Sequence, residues 1–113
     1  MRLFYKCLDT VDYDTAASLF ADDAVYLRAP LTPDETESGA DGPAAIHGLT
    51  AIKTFWSSRT GRTTTHVIRT ESVTGCEWFA EGSVAVDGAL PRPFLTHVTF
   101  DDAGKIQRYL ARR

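Results

Sequence analysis

The pattern of apolar and polar residues divides the chain into a helical first half and a strand-rich second half. Apolar side chains recur at spacings of three and four over residues 3–8 and 13–20, which is typical of helices that bury one face. Asp12 precedes the second segment, where its carboxylate can accept hydrogen bonds from first-turn N–H groups. We expect residues 21–24 to close that helix, and the same spacing predicts a third helix over residues 49–59.

The remaining patterned segments predict β-strands. Residues 25–29 form a short β-prone run after the second helix. Later in the chain, four longer segments are rich in β-branched and aromatic residues and are separated by turn-forming sequences. These predicted strands are residues 63–73, 76–86, 92–100 and 105–112. Helices followed by successive hairpins predict an α+β protein whose helices pack on one face of a curved antiparallel sheet.

One long segment between the first strand and the third helix lacks both patterns. It is rich in Pro, Gly, Asp and Glu and can propagate neither a helix nor a central strand, so we expect a long loop over residues 30–45. Loops of this length in compact domains are usually functional or disordered. The loop is therefore a candidate lid over a pocket or, alternatively, a mobile insertion.

Composition narrows the classes of protein to consider. The chain has 113 residues, 43% of them hydrophobic and 24% charged, which fits one globular domain. Its formal net charge of −3 argues against nucleic acid or an anionic membrane as a partner, and no apolar run approaches the ~20 residues of a membrane span. The two cysteines are too few for a disulfide scaffold, so we expect reduced thiols in a cytoplasmic protein without a secretory signal.

Three segments carry a family resemblance: residues 12–25, with Leu-Phe-Ala-Asp-Asp-Ala-Val at positions 19–25, residues 47–56 and residues 97–106. Together they resemble the SnoaL-like, ketosteroid isomerase-like branch of the nuclear transport factor 2-like superfamily. The resemblance implies one SnoaL-like domain over residues 1–113. Its fold would be a cone-shaped, cystatin-like barrel, in which a curved antiparallel sheet wraps around N-terminal helices and leaves an apolar cavity. Isomerases, polyketide cyclases, epoxide hydrolases, dehydratases and non-catalytic binding proteins share that fold, so it does not settle function.

The resemblance also allows known chemistry to be tested position by position. Ketosteroid isomerases place a tyrosine on the first helix, an aspartate base on the first strand and a protonated aspartate on a later strand. The corresponding positions here are Phe4, with Tyr5 adjacent, Arg28 and Thr96. Phenylalanine has no donor, arginine stays protonated and threonine is a weak donor, so we do not expect the standard steroid isomerase mechanism. Cyclases that use an acid at the position of Thr96 are disfavoured in the same way.

Strand alternation predicts which side chains line the cavity. If Thr96 faces inward, residues two positions away along its strand do so too, and helix residues close the barrel. Small residues in mid-strand would widen the cavity or permit close approach of backbones. The expected ligand-pocket residues are Phe4, Phe20, Tyr26, Trp56, Trp78, Ala80, Gly82, Phe94, Thr96 and Val98.

Four residues are candidates for catalysis. Arg28 on a barrel wall would anchor an anionic or carbonyl-bearing ligand; a salt bridge to the acidic loop or a solvated edge position is the alternative. Tyr109 would polarise an oxygen together with Arg28. His66 or His97 would move a proton, because histidine titrates near neutrality. Alternation places His97 on the sheet face opposite Thr96, where relatives often dimerise.

The sequence thus supports two hypotheses. One is a cofactor-independent isomerase, cyclase or dehydratase that acts on a small hydrophobic carbonyl compound. The other is a non-catalytic ligand-binding or dimerisation module of the same fold. The histidines and carboxylates show no metal-binding spacing, so we expect neither a metal nor a cofactor. A sheet with one face uncovered by helices predicts a homodimer through that face.

Overall fold

Within residues 1–29, 44–58 and 61–112, which the computed structural model describes, the chain forms three helices and six strands. The helices are α1 (Arg2–Asp9), α2 (Tyr13–Ser18) and α3 (Leu49–Ser57). The strands are β1 (Phe20–Ala29), β2 (Ala44–His47), β3 (Thr64–Thr74), β4 (Glu77–Val86), β5 (Arg92–Phe100) and β6 (Ile106–Arg112). This order of elements confirms the predicted α+β class.

The strands form one curved sheet in the order β2-β1-β6-β5-β4-β3. Strands β3 to β6 pair as successive antiparallel neighbours, as the sequence predicts. The sheet differs from the expectation in two respects: β1 lies parallel to β6, so it is mixed, and it is not closed into a barrel. A parallel pair needs a long crossover connection, and all the elements from β2 to β5 lie within this one. A local sequence pattern cannot predict this pairing, because β1 and β6 lie far apart in the sequence.

The first strand is longer than predicted. Helix α2 ends at Ser18 and β1 begins at Phe20, so the expectation that residues 21–24 close the helix is wrong. The register of β1 against β6 shifts between Phe20 and Val25. This irregularity interrupts the two-residue alternation by which a strand is recognised, which explains the error.

Strand β2 also departs from the expectation. Ala44 and Ala45 were assigned to the loop over residues 30–45, but they pair antiparallel with the end of β1. Four residues are too few for a period to show in the sequence. The rest of that loop, with the lid and insertion alternatives, lies outside the described residues.

The ends of two helices are fixed by local contacts. The carboxylate of Asp12 accepts a hydrogen bond from Thr15 N at 3.3 Å, which is the predicted cap of α2. Gly48 precedes α3 with a φ of +87°, and its N–H donates to the carbonyl of Ala24 at 2.8 Å. A residue with this left-handed backbone is favourable only as glycine, and it turns the chain from β2 into α3.

The helices cover one face of the sheet, which we call the inner face. Phe94, Thr96 and Val98 are buried on it, whereas Leu95 between them is exposed. This alternation confirms the predicted orientation of β5. On the neighbouring strand β4, Trp78, Ala80 and Val84 are buried in the same way.

Gly82 on β4 lies where the backbone of the paired strand β3 comes closest to it, and no larger residue fits there. A Cβ atom at Gly82 would lie 1.9 Å from the carbonyl oxygen of Val67, and the register of β3 shifts between Ile68 and Thr70. The sequence left two explanations open for the small residues of β4. At Gly82 the structure supports close approach of backbones.

We predict that Gly82→Ala destabilises the protein by about 2 kcal/mol or more, because the methyl group meets backbone atoms that cannot move without breaking the β3–β4 pairing. Urea unfolding measures this change, and Ser83→Ala, one position along the strand, serves as the control. Equal stability of Gly82→Ala and the parent protein would contradict the prediction.

Candidate functional site

All ten residues predicted to line the pocket are buried between the helices and the sheet. The aromatic ones pack around Phe4, whose side chain is fully enclosed. Its ring centroid lies 5.3 Å from those of Phe20 and Tyr109 and 5.9 Å from that of Trp56. At these separations aromatic rings attract each other through edge and face contacts, so the interior is held by ring packing.

Two tyrosine hydroxyls meet inside this aromatic cluster. The oxygen of Tyr5 on α1 lies 3.1 Å from the oxygen of Tyr109 on β6, and both side chains are buried. Tyr109 also stacks on Tyr26, with 4.7 Å between centroids and 14° between planes. The hydroxyl pair therefore forms a polar point in otherwise apolar surroundings.

Trp56 adds a hydrogen-bond donor to the same interior. Its side chain is 2% exposed, and its Nε1–H has no acceptor among the described residues. The Trp56 ring lies 6.0 Å from that of Tyr26, which in turn stacks on Tyr109. A buried donor without an acceptor is rare, because it forfeits the hydrogen bond it would make to water.

His66 on β3 is bound to Asp9 at the end of α1. His66 Nδ1 lies 2.6 Å from Asp9 Oδ1, and the His66 backbone N–H donates to Asp9 Oδ2 at 2.9 Å. The hydroxyl of Thr64 donates to Asp9 Oδ1 at 2.8 Å. The imidazole stacks on the ring of Tyr5 at 4.7 Å between centroids, so this pair adjoins the hydroxyl pair.

Sequence reasoning missed both Asp9 and Tyr5 as site residues. Tyr5 was noted beside Phe4, but helix spacing alone did not select it. Asp9 offered a signal: it is the last residue of α1, where a negative charge opposes the helix dipole. A carboxylate at that position is favourable only if other groups bind it, as His66 and Thr64 do here.

Arg28 lies near the end of β1 and is half-buried. Its guanidinium carbon is 5.6 Å from the ring centroid of Phe55 on α3, which is a cation–π contact. The acidic loop with which a salt bridge was considered falls outside the described residues. Arg28 thus lies against an aromatic wall of the inner side, two positions from Tyr26 along the same strand.

The hydroxyl of Thr96 is used within the sheet. It donates to the carbonyl of Leu110 on β6 at 3.0 Å. Thr96, which the family resemblance aligns with the steroid isomerase acid, thus uses its only donor within the sheet.

The structure separates His97 from the other three catalytic candidates. His97 lies on the outer face of the sheet, the one without helices, where its ring stacks on Phe79 at 4.5 Å between centroids. Its Nε2 is 2.8 Å from Glu77 Oε1, and its Nδ1 is 3.4 Å from a nitrogen of Arg108. His66 and Tyr109 lie on the inner side, so the four candidates do not form one site.

A shallow apolar depression of about 350 Å³ lies on that outer face. The side chains at its surface include three apolar ones and three that can carry charge. They are Phe79, Leu95, Leu110, Glu81, His97 and Arg112. The depression is on the opposite side of the sheet from the aromatic interior.

Other kinds of site find little support in the described part of the chain. No three His, Cys, Asp or Glu side chains there lie close enough together to hold a metal ion. No helix in residues 1–29, 44–58 and 61–112 has the length and apolar character needed to cross a membrane. Cys7 is buried, and burial raises the pKa of its thiol, whereas Cys76 is exposed. A raised pKa makes a thiol a poorer nucleophile at neutral pH.

The comparisons with known proteins agree with this fold. Residues 1–109 match the family of SnoaL-like domains. The chain belongs to the SnoaL-like domain family. No functionally curated protein matches it in sequence.

Solved structures resemble this SnoaL-like domain over nearly its whole length. A candidate polyketide cyclase, SMa1630 from Sinorhizobium meliloti, is 20% identical, covering 96% of this chain and 88% of that one, with a TM-score of 0.73. An epoxide hydrolase of the LEH-like kind from M. tuberculosis is 22% identical over 96% and 75% of the two chains, with a TM-score of 0.72. A computationally designed 17-OHP binder is 18% identical over 96% and 82%, with a TM-score of 0.76. At these identities the likeness establishes the fold.

Glu71 on β3 is exposed and binds the buried side chain of Trp78. It accepts hydrogen bonds from Trp78 Nε1 at 3.0 Å and from Arg2 at 3.1 Å. These two contacts, Trp78 first, lower the pKa of the Glu71 carboxyl. A carboxyl with a lowered folded-state pKa stabilises the fold above its unfolded pKa of about 4.3, and that stability is lost as the pH falls through the folded value.

We predict that Glu71→Gln lowers the melting temperature at pH 7 and that the difference from the parent protein shrinks as the pH falls through the lowered folded-state pKa of Glu71, where its carboxyl becomes neutral. Thermal unfolding across this pH range measures the effect. Asp14→Asn, at an exposed ion pair with Lys53, is the control. A gap that stays constant with pH would show that the charge of Glu71 is not involved.

Proposed function

We propose that this SnoaL-like domain binds a small hydrophobic carbonyl compound among the aromatic side chains of its interior. The observation that carries the proposal is Trp56 Nε1–H, a buried donor without an acceptor among the described residues. A ligand oxygen would supply the missing acceptor. If Trp56 served only to pack the core, we would expect phenylalanine at this position, because phenylalanine packs as well and buries no polar atom.

The tyrosine pair supports the same class of ligand. Tyr5 and Tyr109 place two hydroxyls 3.1 Å apart in an apolar environment. Either oxygen can be the donor within the pair, so the binding of a ligand oxygen would compete for one of these O–H groups. Hydrogen bonds from tyrosine to a carbonyl oxygen are strengthened when water is excluded. The aromatic rings around Phe4 would provide the apolar contact area.

The similarity to known folds favours binding of such a compound. One similar structure is a computationally designed binder of 17-OHP. Because fold alone does not settle function, the argument depends on the interior residues of this chain.

A second candidate function is catalysis without a cofactor, as an isomerase, cyclase or lyase acting on the same class of compound. The hydrogen-bonded pair of Asp9 and His66 favours it, because a histidine held by a carboxylate is suited to proton transfer. Arg28 and Tyr109 would polarise the substrate oxygen. The cytoplasmic location of the protein stays a prediction.

We predict that the bicyclic ketone 2-tetralone binds the protein and quenches tryptophan fluorescence. Trp56→Phe and Tyr109→Phe should each weaken its affinity about three- to tenfold, since each removes one hydrogen bond worth about 0.5–1.5 kcal/mol. Fluorescence and calorimetric titrations measure the dissociation constants.

Tetralin, the hydrocarbon without the oxygen, is the matched control ligand. Its affinity should change little in both variants, because it makes no hydrogen bond. Phe79→Ala on the outer face should leave the binding of 2-tetralone unchanged. Equal effects of the two inner substitutions on ketone and hydrocarbon would contradict a specific oxygen site.

We further propose that the outer face mediates a homodimer. Leu95 is 49% exposed there, and Phe79 beside it is also exposed, around the depression of about 350 Å³. Exposed apolar patches on a sheet face are typical of association surfaces. Glu81, which is paired with Arg69 at 3.1 Å, and Arg112 at the depression carry opposite charges, so a two-fold interface could bring Arg112 of one copy beside Glu81 of the other.

We predict a dimer in light scattering at micromolar concentration and a monomer for Leu95→Glu, because a carboxylate in the apolar contact is costly to desolvate. Leu90→Glu is the control: Leu90 is 87% exposed between β4 and β5, and its replacement should leave the dimer intact. A monomeric parent protein would contradict the proposal.

A further inference from the structure

We infer that Arg28 anchors the carboxylate of a hydrophobic ligand, so that the interior prefers an amphipathic acid to an uncharged compound of the same shape. This inference rests on the proposed binding among the aromatic side chains and adds to it the charge of the ligand. It is carried by the place of one guanidinium group, on the inner face of the sheet and against a ring of α3.

Strand pairing places Arg28 on the inner face. Arg28 lies opposite Ala111 of β6, and Ala111 lies opposite Thr96 of β5. Side chains of residues that pair across neighbouring strands share one face of the sheet, and Thr96 is buried under the helices. The guanidinium therefore belongs to the same side of the sheet as the aromatic interior, and only a methyl group of β6 stands between it and Thr96.

The ring of Phe55 determines where the guanidinium lies. The centroid of this ring is 5.6 Å from the guanidinium carbon of Arg28 and 5.7 Å from the ring centroid of Tyr26. The ring of Tyr26 in turn lies 6.0 Å from that of Trp56, whose indole N–H carries the proposed function. Arg28 thus borders the space in which the ligand is proposed to bind.

Arg28 forms no ion pair and no side-chain hydrogen bond with any residue that the structure describes. By contrast, the exposed Arg2 and Arg69 each form an ion pair with a glutamate at 3.1 Å. The half-buried guanidinium has lost part of its hydration without gaining a charged acceptor, which is costly. An anion that binds there would offset this cost.

A carboxylate is the anion that suits these surroundings best. The guanidinium group is planar and carries five N–H donors, two of which can donate in parallel to the two oxygens of one carboxylate. The contact with the Phe55 ring uses none of these donors as a hydrogen bond. A phosphate would bring more charge and more bound water towards aromatic rings. We therefore assign the site to compounds in which one carboxylate is attached to an apolar ring system.

A carboxylate of the chain itself is the alternative occupant, since Glu35 and Glu37 follow β1 in the sequence. With such a partner Arg28 would stabilise the protein but add nothing to the affinity for an acid. The two roles differ in ligand selectivity, whereas a loss of stability on replacing Arg28 follows from either of them.

The ligands 2-naphthoate and 2-naphthamide test this selectivity, because they share one shape and differ in charge. In calorimetric titrations at about pH 7, the parent protein should bind the acid about tenfold or more tightly than the amide, as a charge-assisted hydrogen-bond pair implies. Arg28→Gln should reduce this preference to about twofold or less through loss of affinity for the acid. Arg28→Lys should retain part of it, because lysine keeps the charge but not the planar pair of donors.

Arg108→Gln is the matched control, since Arg108 is also a half-buried arginine but contacts His97 on the outer face. It should leave the preference for the acid unchanged. Melting curves establish that each variant is folded. Equal affinities of the parent protein for acid and amide, or a preference that survives in folded Arg28→Gln, would overturn the inference.

Displacement of 2-tetralone tests where the acid binds. We expect 2-naphthoate to compete with the ketone in the parent protein, and an acid that binds without displacing the ketone would overturn the inference. If the ketone binds but the acid gains nothing from Arg28, this inference fails while the proposed function stands. If none of the three ligands binds, the proposed function fails and this inference fails with it. If only the acid binds, and loses its affinity in Arg28→Gln, the anchor stands and the proposed oxygen site at Trp56 fails.

Discussion

The packing of helix α1 against the inner face of the sheet is the constraint on which the rest of the structure depends. Phe4 is fully enclosed and contacts rings from α1, β1, α3 and β6, so one side chain joins two helices to two neighbouring strands of the sheet. Because α1 is held there, its neighbouring residue Tyr5 reaches Tyr109, and its last residue Asp9 reaches β3. The candidate site is thus a consequence of how the first helix docks, and not of any one strand.

The interior combines a favourable apolar environment with a few polar groups that are costly to bury. Each buried hydroxyl, imidazole or indole N–H has to recover its lost hydration through hydrogen bonds. Tyr5 and Tyr109 contact each other through their hydroxyls and His66 is bound by Asp9, whereas Trp56 Nε1 finds no acceptor in the described part of the chain. This distribution differs from that of a steroid isomerase, since the positions that the family resemblance aligns with its base and acid hold Arg28 and Thr96. The buried polar groups of this SnoaL-like domain lie at other positions of the same fold.

Local periodicity predicted much of the fold and little of the site. The orientation of β5 followed from two-residue alternation around Thr96, and the Asp12 cap and helix α3 followed from short-range signals. The parallel pairing of β1 with β6 and the bond between Asp9 and His66 join residues that are distant in sequence, so no local pattern contains them. A local irregularity also hid the start of β1 from the sequence pattern, because the register shift between Phe20 and Val25 interrupts the alternation of the strand. Family resemblance supplied the architecture, but helix spacing alone did not show that the Tyr5 hydroxyl is buried and meets Tyr109.

The central claim is that the aromatic interior receives a ligand oxygen between donors that α1, α3 and β6 bring together. A crystal structure of the protein with 2-tetralone tests it most directly. The account predicts the ketone between the helices and the sheet, with its oxygen within about 3 Å of Trp56 Nε1 or of a tyrosine hydroxyl. A complex with the ketone only on the outer face, or an interior that excludes it at saturating concentration, would contradict the account.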